Sequence, residues 1–231
     1  MKAHTSPNAD DLKRQAAIAA LDEIRDGMIV GLGTGSTASH FIRELGHRVK
    51  GGLRVLGIPT SEASRILADQ VGVSVTTLKD HPEIDVTVDG ADEVSPGLDL
   101  IKGLGGALVR EKIVAHASKR VIIVVDESKM VDKLGNRAPI PVEVVPFAVD
   151  SVILKLVRLN GTAIVRQRDD RPFVSDNGNT IVDWQFGEIE QPYALEMKIK
   201  AITGVVDSGI FANVAAQVIV AGETSIRRLV R

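Results

Sequence analysis

Cysteine is absent from this chain, which rules out disulfides, thiolate nucleophiles, zinc–thiolate sites and cysteine-held iron–sulfur clusters. Aromatic residues are scarce, with one Trp, one Tyr and five Phe among 231 residues, so stacking on bases or glycan rings is not expected as a main mode of recognition. No sign of charge dominates. With 28 basic and 30 acidic residues the formal charge is -2, and the two signs are mixed along the chain, so no electrostatic footprint for a nucleic acid backbone appears. Arg227 and Arg228 read as a small solvated edge. No apolar run is long enough to cross a bilayer, and the amino terminus carries no apolar stretch behind its charges. The expectation is a cytoplasmic protein without membrane or nucleic acid partners. The five histidines (His4, His40, His47, His81, His116) show no metal-ligand spacing, and no serine sits in a G-x-S-x-G elbow, which disfavours covalent serine hydrolysis.

Glycine is plentiful, at 21 residues, and the hydrophobic fraction of 44% suffices for one or two domains with real cores. After a frayed first ten residues, the pattern predicts a helix over 11–24 with Asp10 or Asp11 as cap. A short apolar strand over 28–32 follows, then a glycine turn and a helix over 38–45. A strand near 54–58 leads to a helix over 62–70 capped by Thr60 or Ser61. The run 84–88 is apolar or β-branched apart from Asp85, as a parallel strand covered on both faces reads. A helix over 107–117 and a strand over 121–126 complete an alternation that argues for a mainly parallel, open Rossmann-like α/β sheet. From Pro139 the rhythm changes to β-α-β-β-α-β, with Asn177-Gly178 as a hairpin signal, the order of a ferredoxin-like α+β unit. The domains are therefore expected at 1–138 with 207–231, and at 139–206.

Three polar tips follow apolar strands. In G-L-G-T-G-S-T (31–37) a strand feeds a helix through alternating glycines. Gly33 and Gly35 let the backbone approach a ligand, Thr34, Ser36 and Thr37 add hydroxyl donors, and free N–H groups at the helix start suit an anion. It is neither a P-loop nor a good dinucleotide fingerprint, because Ser36 stands where the third glycine belongs. In D-G-A-D-E (89–93), Asp89 and Asp92 flank Gly90 and Ala91, close enough for one helical turn to bring the two carboxylates to one side. Glu93 reads as solvent-facing. In K-G-L-G-G-A-L-V-R-E-K (102–112), Lys102 precedes a turn of Gly103, Gly105 and Gly106, and Glu111 lies about one turn into the helix. Glu111 is then either a surface residue between Arg110 and Lys112 or a general base tuned by partial burial. D-E-S-K (126–129) offers Lys129, and Lys13 could reach the same rim from the first helix. That rim is where open α/β sheets bind ligands.

Taken in order, G-L-G-T-G-S-T-A-S-H-F, V-D-G-A-D-E, I-K-G-L-G-G-A-L-V-R-E-K, D-E-S-K, P-V-E-V-V-P-F-A, F-V-S-D-N-G-N and V-V-D-S-G-I-F resemble the A-type ribose-5-phosphate isomerases over nearly the whole chain after residue 10. The resemblance implies a metal-independent isomerase of the non-oxidative pentose phosphate pathway, a homodimer or homotetramer, with no cofactor. It implies that Glu111 is the base moving a proton between C2 and C1, and that Asp89 handles hydroxyl protons beside Asp92 and Lys102. It also implies that 33–37 binds ligand, and that Lys13 and Lys129 lie near the phosphate end. The alternatives are a non-catalytic sugar-phosphate sensor and a related amino-sugar phosphate isomerase. One departure is that Leu104 breaks the family's four-glycine run. If residue 104 needs positive φ, leucine costs about 1 kcal/mol or more; if it faces solvent or core, the change is nearly neutral.

Overall fold

The computed structural model describes residues 8–231; His4 and most of the expected frayed end lie outside them. The elements run α1 (Ala9–Ala20), β1 (Ile29–Leu32), α2 (Ser36–Lys50), β2 (Leu56–Pro59), α3 (Glu62–Val71), β3 (Val86–Asp89), β4 (Glu93–Val94), β5 (Leu100–Ile101), α4 (Leu108–His116) and β6 (Val121–Asp126). They continue with β7 (Ile140–Val144), α5 (Val149–Leu159), β8 (Thr162–Val165), β9 (Gln167–Arg168), β10 (Arg171–Pro172), β11 (Thr180–Gln185), α6 (Pro192–Lys200), β12 (Val205–Ser208), β13 (Ile210–Phe211), β14 (Gln217–Ala221) and β15 (Ile226–Val230).

Among the described residues, 8–90, 114–129 and 216–231 form one compact unit, and 91–113 with 130–215 form a second. The expected boundaries at 138/139 and 206/207 are not these. Residues 91–113, 130–138 and 207–215 group with the second unit because long-range bonds tie them there. β5 pairs antiparallel with β13, the Glu93 carboxylate accepts the backbone N–H groups of Gly135, Arg137 and Ala138, Lys112 bonds Glu196 and Asp207, and Gly209 donates its N–H to the Pro141 carbonyl. None of these partners is near in sequence.

The first unit holds a six-stranded sheet in the order β15-β14-β6-β3-β1-β2. Five strands are parallel and β15 closes the edge antiparallel to β14. β6, Val-Ile-Ile-Val-Val-Asp, is buried at every position, as a strand covered on both faces must be. Leu32, Phe41, Ile42, Leu45, Val88 and Ile122 belong to its largest core, each contributing about 1.5–3 kcal/mol on burial. The strand order reverses between β1 and β3, so the loops after these two strands open at the topological switch point. β15 was not expected; Arg227 and Arg228 are exposed on it, and Arg228 bonds Asp22, Glu23 and the Ala19 carbonyl.

In the second unit β12-β7-β11-β8 is wholly antiparallel. With α5 and α6 it gives the ferredoxin-like order expected for 139–206. Its core includes Trp184, fully buried with its indole N–H donated to the Asn160 carbonyl at 2.8 Å. A small sheet, β13-β5-β4, was not legible, since its strands are two residues each.

Element ends moved where caps decided them. α1 begins at Ala9, not 11, because Asn8 accepts the N–H groups of Asp10 and Asp11 and the Asp11 carboxylate returns the bond, a full capping box. α2 starts at Ser36 and runs to Lys50, longer than expected at both ends. For α3 the cap is Ser61, whose Oγ accepts the Ser64 N–H.

Candidate functional site

Two groups of side chains hold most of the expected site residues, one in each unit. In the first, β1 ends at Leu32 and the chain turns sharply. Gly33 donates to the Val88 carbonyl at 3.0 Å, which draws the turn against β3. A Cβ at Gly33 would lie 2.2 Å from Asp89 Oδ1 and 2.5 Å from Asp89 Cα, so only glycine fits. Gly35, at φ +101°, is the N-cap of α2 and gives no side-chain cap. The first N–H groups of that helix therefore stay directed outward beside exposed Ser36, while Thr37 is buried. Thr34 donates its N–H to Asp89 Oδ1 at 3.0 Å. Its hydroxyl sits among those of Thr60 (2.7 Å), Ser61 (2.7 Å) and Ser64 (3.1 Å). Ser64 in turn donates to the Gly33 carbonyl at 2.6 Å. Sequence reasoning had Thr60 and Ser61 as a cap and missed Ser64, whose role needs β1 and β2 to lie side by side.

Asp89 closes β3 almost wholly buried, 2% exposed, with Oδ1 also accepting the Gly90 N–H at 2.7 Å. A buried carboxylate held by backbone donors is fixed in direction. The 90–92 segment is not the helical turn expected to bring Asp89 and Asp92 together; it is a bend leading into β4. Lys129 ends a 3-10 turn directly after β6, the parallel neighbour of β3, and is half-buried, as is Lys13 on α1. Asp10, close to Lys13, has its carboxyl held below the usual range, first by a hydrogen bond from His40 and to a lesser degree by the charge of Lys13.

The second group is built on the 102–112 segment. Lys102 donates its Nζ to Glu111 Oε1 at 3.1 Å, and the two side chains are 3% and 5% exposed. Glu111 is thus no surface residue. On α4 the buried residues are Leu108, Val109, Glu111, Lys112, Val114 and Ala115, so two of the six are charged. Each charge is met by partners from elsewhere in the unit. Lys112 Nζ bonds Glu196 Oε1 at 2.5 Å, Asp207 Oδ1 at 2.8 Å and the Ile210 carbonyl at 2.7 Å. Lys102 and Lys112 both face the Phe211 ring, at 5.4 and 4.8 Å from its centroid. Glu111 also lies in the first turn of α4, where the helix dipole favours a negative charge.

Asp92 accepts the Leu104 N–H on Oδ2 at 2.9 Å. Gly103 and Gly106 take positive φ, +99° and +87°, and Gly106 donates back to the Gly103 carbonyl at 3.0 Å. Leu104 is 43% exposed and is not among the positive-φ residues, so the break in the glycine run carries no backbone strain. Gly105 is likewise exposed, and Ala91 half-buried. Glu93, expected in solvent, is 1% exposed and anchors the 135–138 backbone instead. Among the described residues no group of three or more His, Cys, Asp or Glu is arranged to hold a metal ion. No helix among them is long and apolar enough to cross a membrane.

A parallel sheet with an uncapped glycine turn at its switch point is the architecture of α/β enzymes that take small phosphorylated ligands. The buried acid–base pair of the second unit is the equipment of proton-transfer chemistry. A family model described as Ribose 5-phosphate isomerase A (phosphoriboisomerase A) matches residues 56–225. The chain is 48% identical over 231 residues to the ribose-5-phosphate isomerase A of Rhodopseudomonas palustris strain HaA2, covering 97% of this chain and 99% of that one. To that of Gluconobacter oxydans it is 51% identical over 213 residues, covering 90% and 92%. Among solved structures, the ribose 5-phosphate isomerase A of Methanocaldococcus jannaschii superposes with a TM-score of 0.93 at 43% identity, covering 97% and 100%. A D-ribose-5-phosphate isomerase in complex with phospho-erythronic acid superposes at 0.95 with 41% identity and the same coverage. The chain belongs to the ribose-5-phosphate isomerase A family. It is an enzyme that interconverts D-ribose 5-phosphate and D-ribulose 5-phosphate, and neither the sensor nor the amino-sugar alternative is favoured.

Proposed function

We propose that the Glu111 carboxylate is the base of this reaction. It takes the C2 proton of the open-chain aldose and delivers a proton to C1, the proton on the carboxyl exchanging with solvent in between, while the O2 proton moves to O1. The intermediate is an enediol or enediolate, whose developing oxygen charge needs fixed donors. The observation that carries the reading is the burial of Glu111 on the first turn of α4 against the Lys102 ammonium at 3.1 Å. A glutamate serving only the helix surface would have neither. Lys102 and backbone N–H groups of the 103–107 turn, those of Gly103 and Gly105 among them, are the donors for that charge, with Gly106 closing the turn on the Gly103 carbonyl. Asp89 moves hydroxyl protons during ring opening, with Gly90, Ala91 and Asp92 binding the sugar. Gly33, Thr34, Gly35, Ser36 and Thr37 hold the phosphate, with Lys13 and Lys129 as further basic groups, and this remote anchoring keeps the short sugar in register. The phospho-erythronic acid named for the solved relative is a phosphorylated four-carbon sugar acid, with a phosphate as in the substrate and a carboxylate in place of the carbonyl.

The test is Glu111→Gln. Turnover of ribose 5-phosphate should fall by about 10²–10⁴-fold while sugar-phosphate binding stays measurable. Near-native turnover in a folded variant would remove Glu111 from the role. In deuterated water the native enzyme should yield ketose carrying deuterium at C1. The same reading makes the protein a cytoplasmic homodimer or homotetramer assembled through the 139–206 region. Exposed Phe147, Leu154, Val157 and Ile164 support that assembly, and sedimentation equilibrium distinguishes two copies from four.

A further inference from the structure

Arg166 follows β8 and lies far from Glu111 in sequence. Its backbone is fixed on both sides, the N–H donating to the Ile181 carbonyl and the carbonyl accepting from Phe173, each at 2.8 Å. Its side chain is 11% exposed. One edge of the guanidinium is paired to Asp183, Nε to Oδ2 at 2.9 Å and Nη2 to Oδ1. Asp183 stands on β11 opposite Ile164, so the sheet register sets the direction of the fork. The remaining nitrogen, Nη1, is shared between the Gly103 carbonyl at 2.8 Å and the Leu104 carbonyl at 2.9 Å.

Two peptide planes are set by that one nitrogen. Across a planar trans peptide the carbonyl and the following N–H point in opposite directions. The plane joining Gly103 to Leu104 is therefore held at both ends, its oxygen by Arg166 and its N–H by Asp92 Oδ2. The plane joining Leu104 to Gly105 has its oxygen on Arg166, which turns the Gly105 N–H away from the guanidinium. The far end of the loop rests on an aromatic ring. A Cβ at Gly106 would lie 2.4 Å from Phe173 ring atoms, and the Arg168 guanidinium lies over that ring at 4.4 Å.

We propose that Arg166, aimed by Asp183, is a positioning residue for the isomerisation. It touches no substrate; it fixes the two peptide planes running from Gly103 to Gly105 so that the Gly105 N–H meets the oxygen on which charge develops. A lysine could not do this, since a point charge lacks the planar fork that holds a carboxylate on one edge and two carbonyls from the other. The proposal rests on the reading of the loop N–H groups given above.

The experiment compares Arg166→Lys and Asp183→Asn with the unaltered enzyme by steady-state kinetics on ribose 5-phosphate. Inhibition by phospho-erythronic acid and by inorganic phosphate is measured on each, with thermal melts. For Arg166→Lys the expected result is kcat lower by about tenfold or more with KM within about threefold, the signature of an interaction made in the transition state. Inhibition by phospho-erythronic acid, whose carboxylate presents charge at the reacting end, should weaken in parallel, while inorganic phosphate inhibits as before. Asp183→Asn should shift the same quantities in the same direction by less. Native kcat and native phospho-erythronic acid inhibition in folded Arg166→Lys overturn the proposal, as does an equal loss of both inhibitors. If Arg166→Lys does not fold, Asp183→Asn decides on the same readouts. Failure of the underlying reading shows elsewhere: phospho-erythronic acid would then bind the unaltered enzyme no better than inorganic phosphate.

Discussion

Replacing Lys112 by methionine isolates what holds α4, and with it Glu111, in place. Methionine keeps most of the aliphatic stem, so the change removes a charge and its donors more than it removes volume. Lys112 gives hydrogen bonds to Glu196, Asp207 and the Ile210 carbonyl, and the three side chains are only 7%, 8% and 16% exposed. The two acids are not left in equal trouble. Asp207 retains Lys200 Nζ at 2.7 Å and the Ser208 N–H at 2.8 Å. For Glu196 the remaining hydrogen bond is a long one from the Ala212 N–H at 3.2 Å. Removing one partner of a buried ion pair costs about 3–5 kcal/mol. For a chain of this size that is a fall in Tm of about 6–20 °C. Differential scanning calorimetry gives the shift and urea titration the free energy. The decisive control is Lys112→Met with Glu196→Met. If the loss comes from an orphaned carboxylate, making both partners apolar should recover most of it. A single variant losing under about 1 kcal/mol, or a double variant no better than the single, would refute the reasoning.

Gly33→Ala places a methyl against the Asp89 side chain and its Cα, backbone that cannot give way; a loss of about 1–3 kcal/mol is expected, with a fall in turnover as Asp89 is displaced, and near-native values of both would show that the turn has room. Leu104→Gly should destabilise by about 0.5–1 kcal/mol, because residue 104 needs no positive φ and glycine only adds freedom to the unfolded chain; a gain in stability would mean that leucine is strained there. For Asp207, burial pushes the carboxyl up, but the charge and hydrogen bond of Lys112, with help from Lys200, outweigh it and hold it below the ordinary 3.8. The folded state then gains stability from Asp207 above that value and loses it as pH falls below it. The Tm gap between the native protein and Asp207→Asn should hold from neutral pH to about 4 and then narrow; a gap that widens in acid would reverse the sign.

Much of the fold could be read from the chain. The alternation of short branched-residue runs with amphipathic helices gave the mainly parallel sheet, because strands covered on both faces must be apolar throughout, as β6 is. The change of rhythm after Pro139 gave the second, antiparallel sheet. The glycine turn at 33–37 was legible as a sharp strand-to-helix turn because backbone freedom and helix starts are local properties. Element ends were less so: Asn8 took the cap of α1 from Asp10 and Asp11 through bonds of its own side chain.

What local sequence determined here is where the backbone can bend, which stretches must be buried, and which acids and bases stand beside glycines. The tertiary structure alone decided whether each charge is inside or out. Glu93 read as solvent-facing and Glu111 as either a helix-surface residue or a partly buried base; both are buried, and so is Lys112. A charge can be buried only where opposite charges or hydrogen-bond partners meet it. Those partners are Gly135, Arg137 and Ala138 for Glu93, Lys102 for Glu111, and Glu196 and Asp207 for Lys112. Most stand dozens of residues away, so their meeting is a property of the folded chain and not of any window along it.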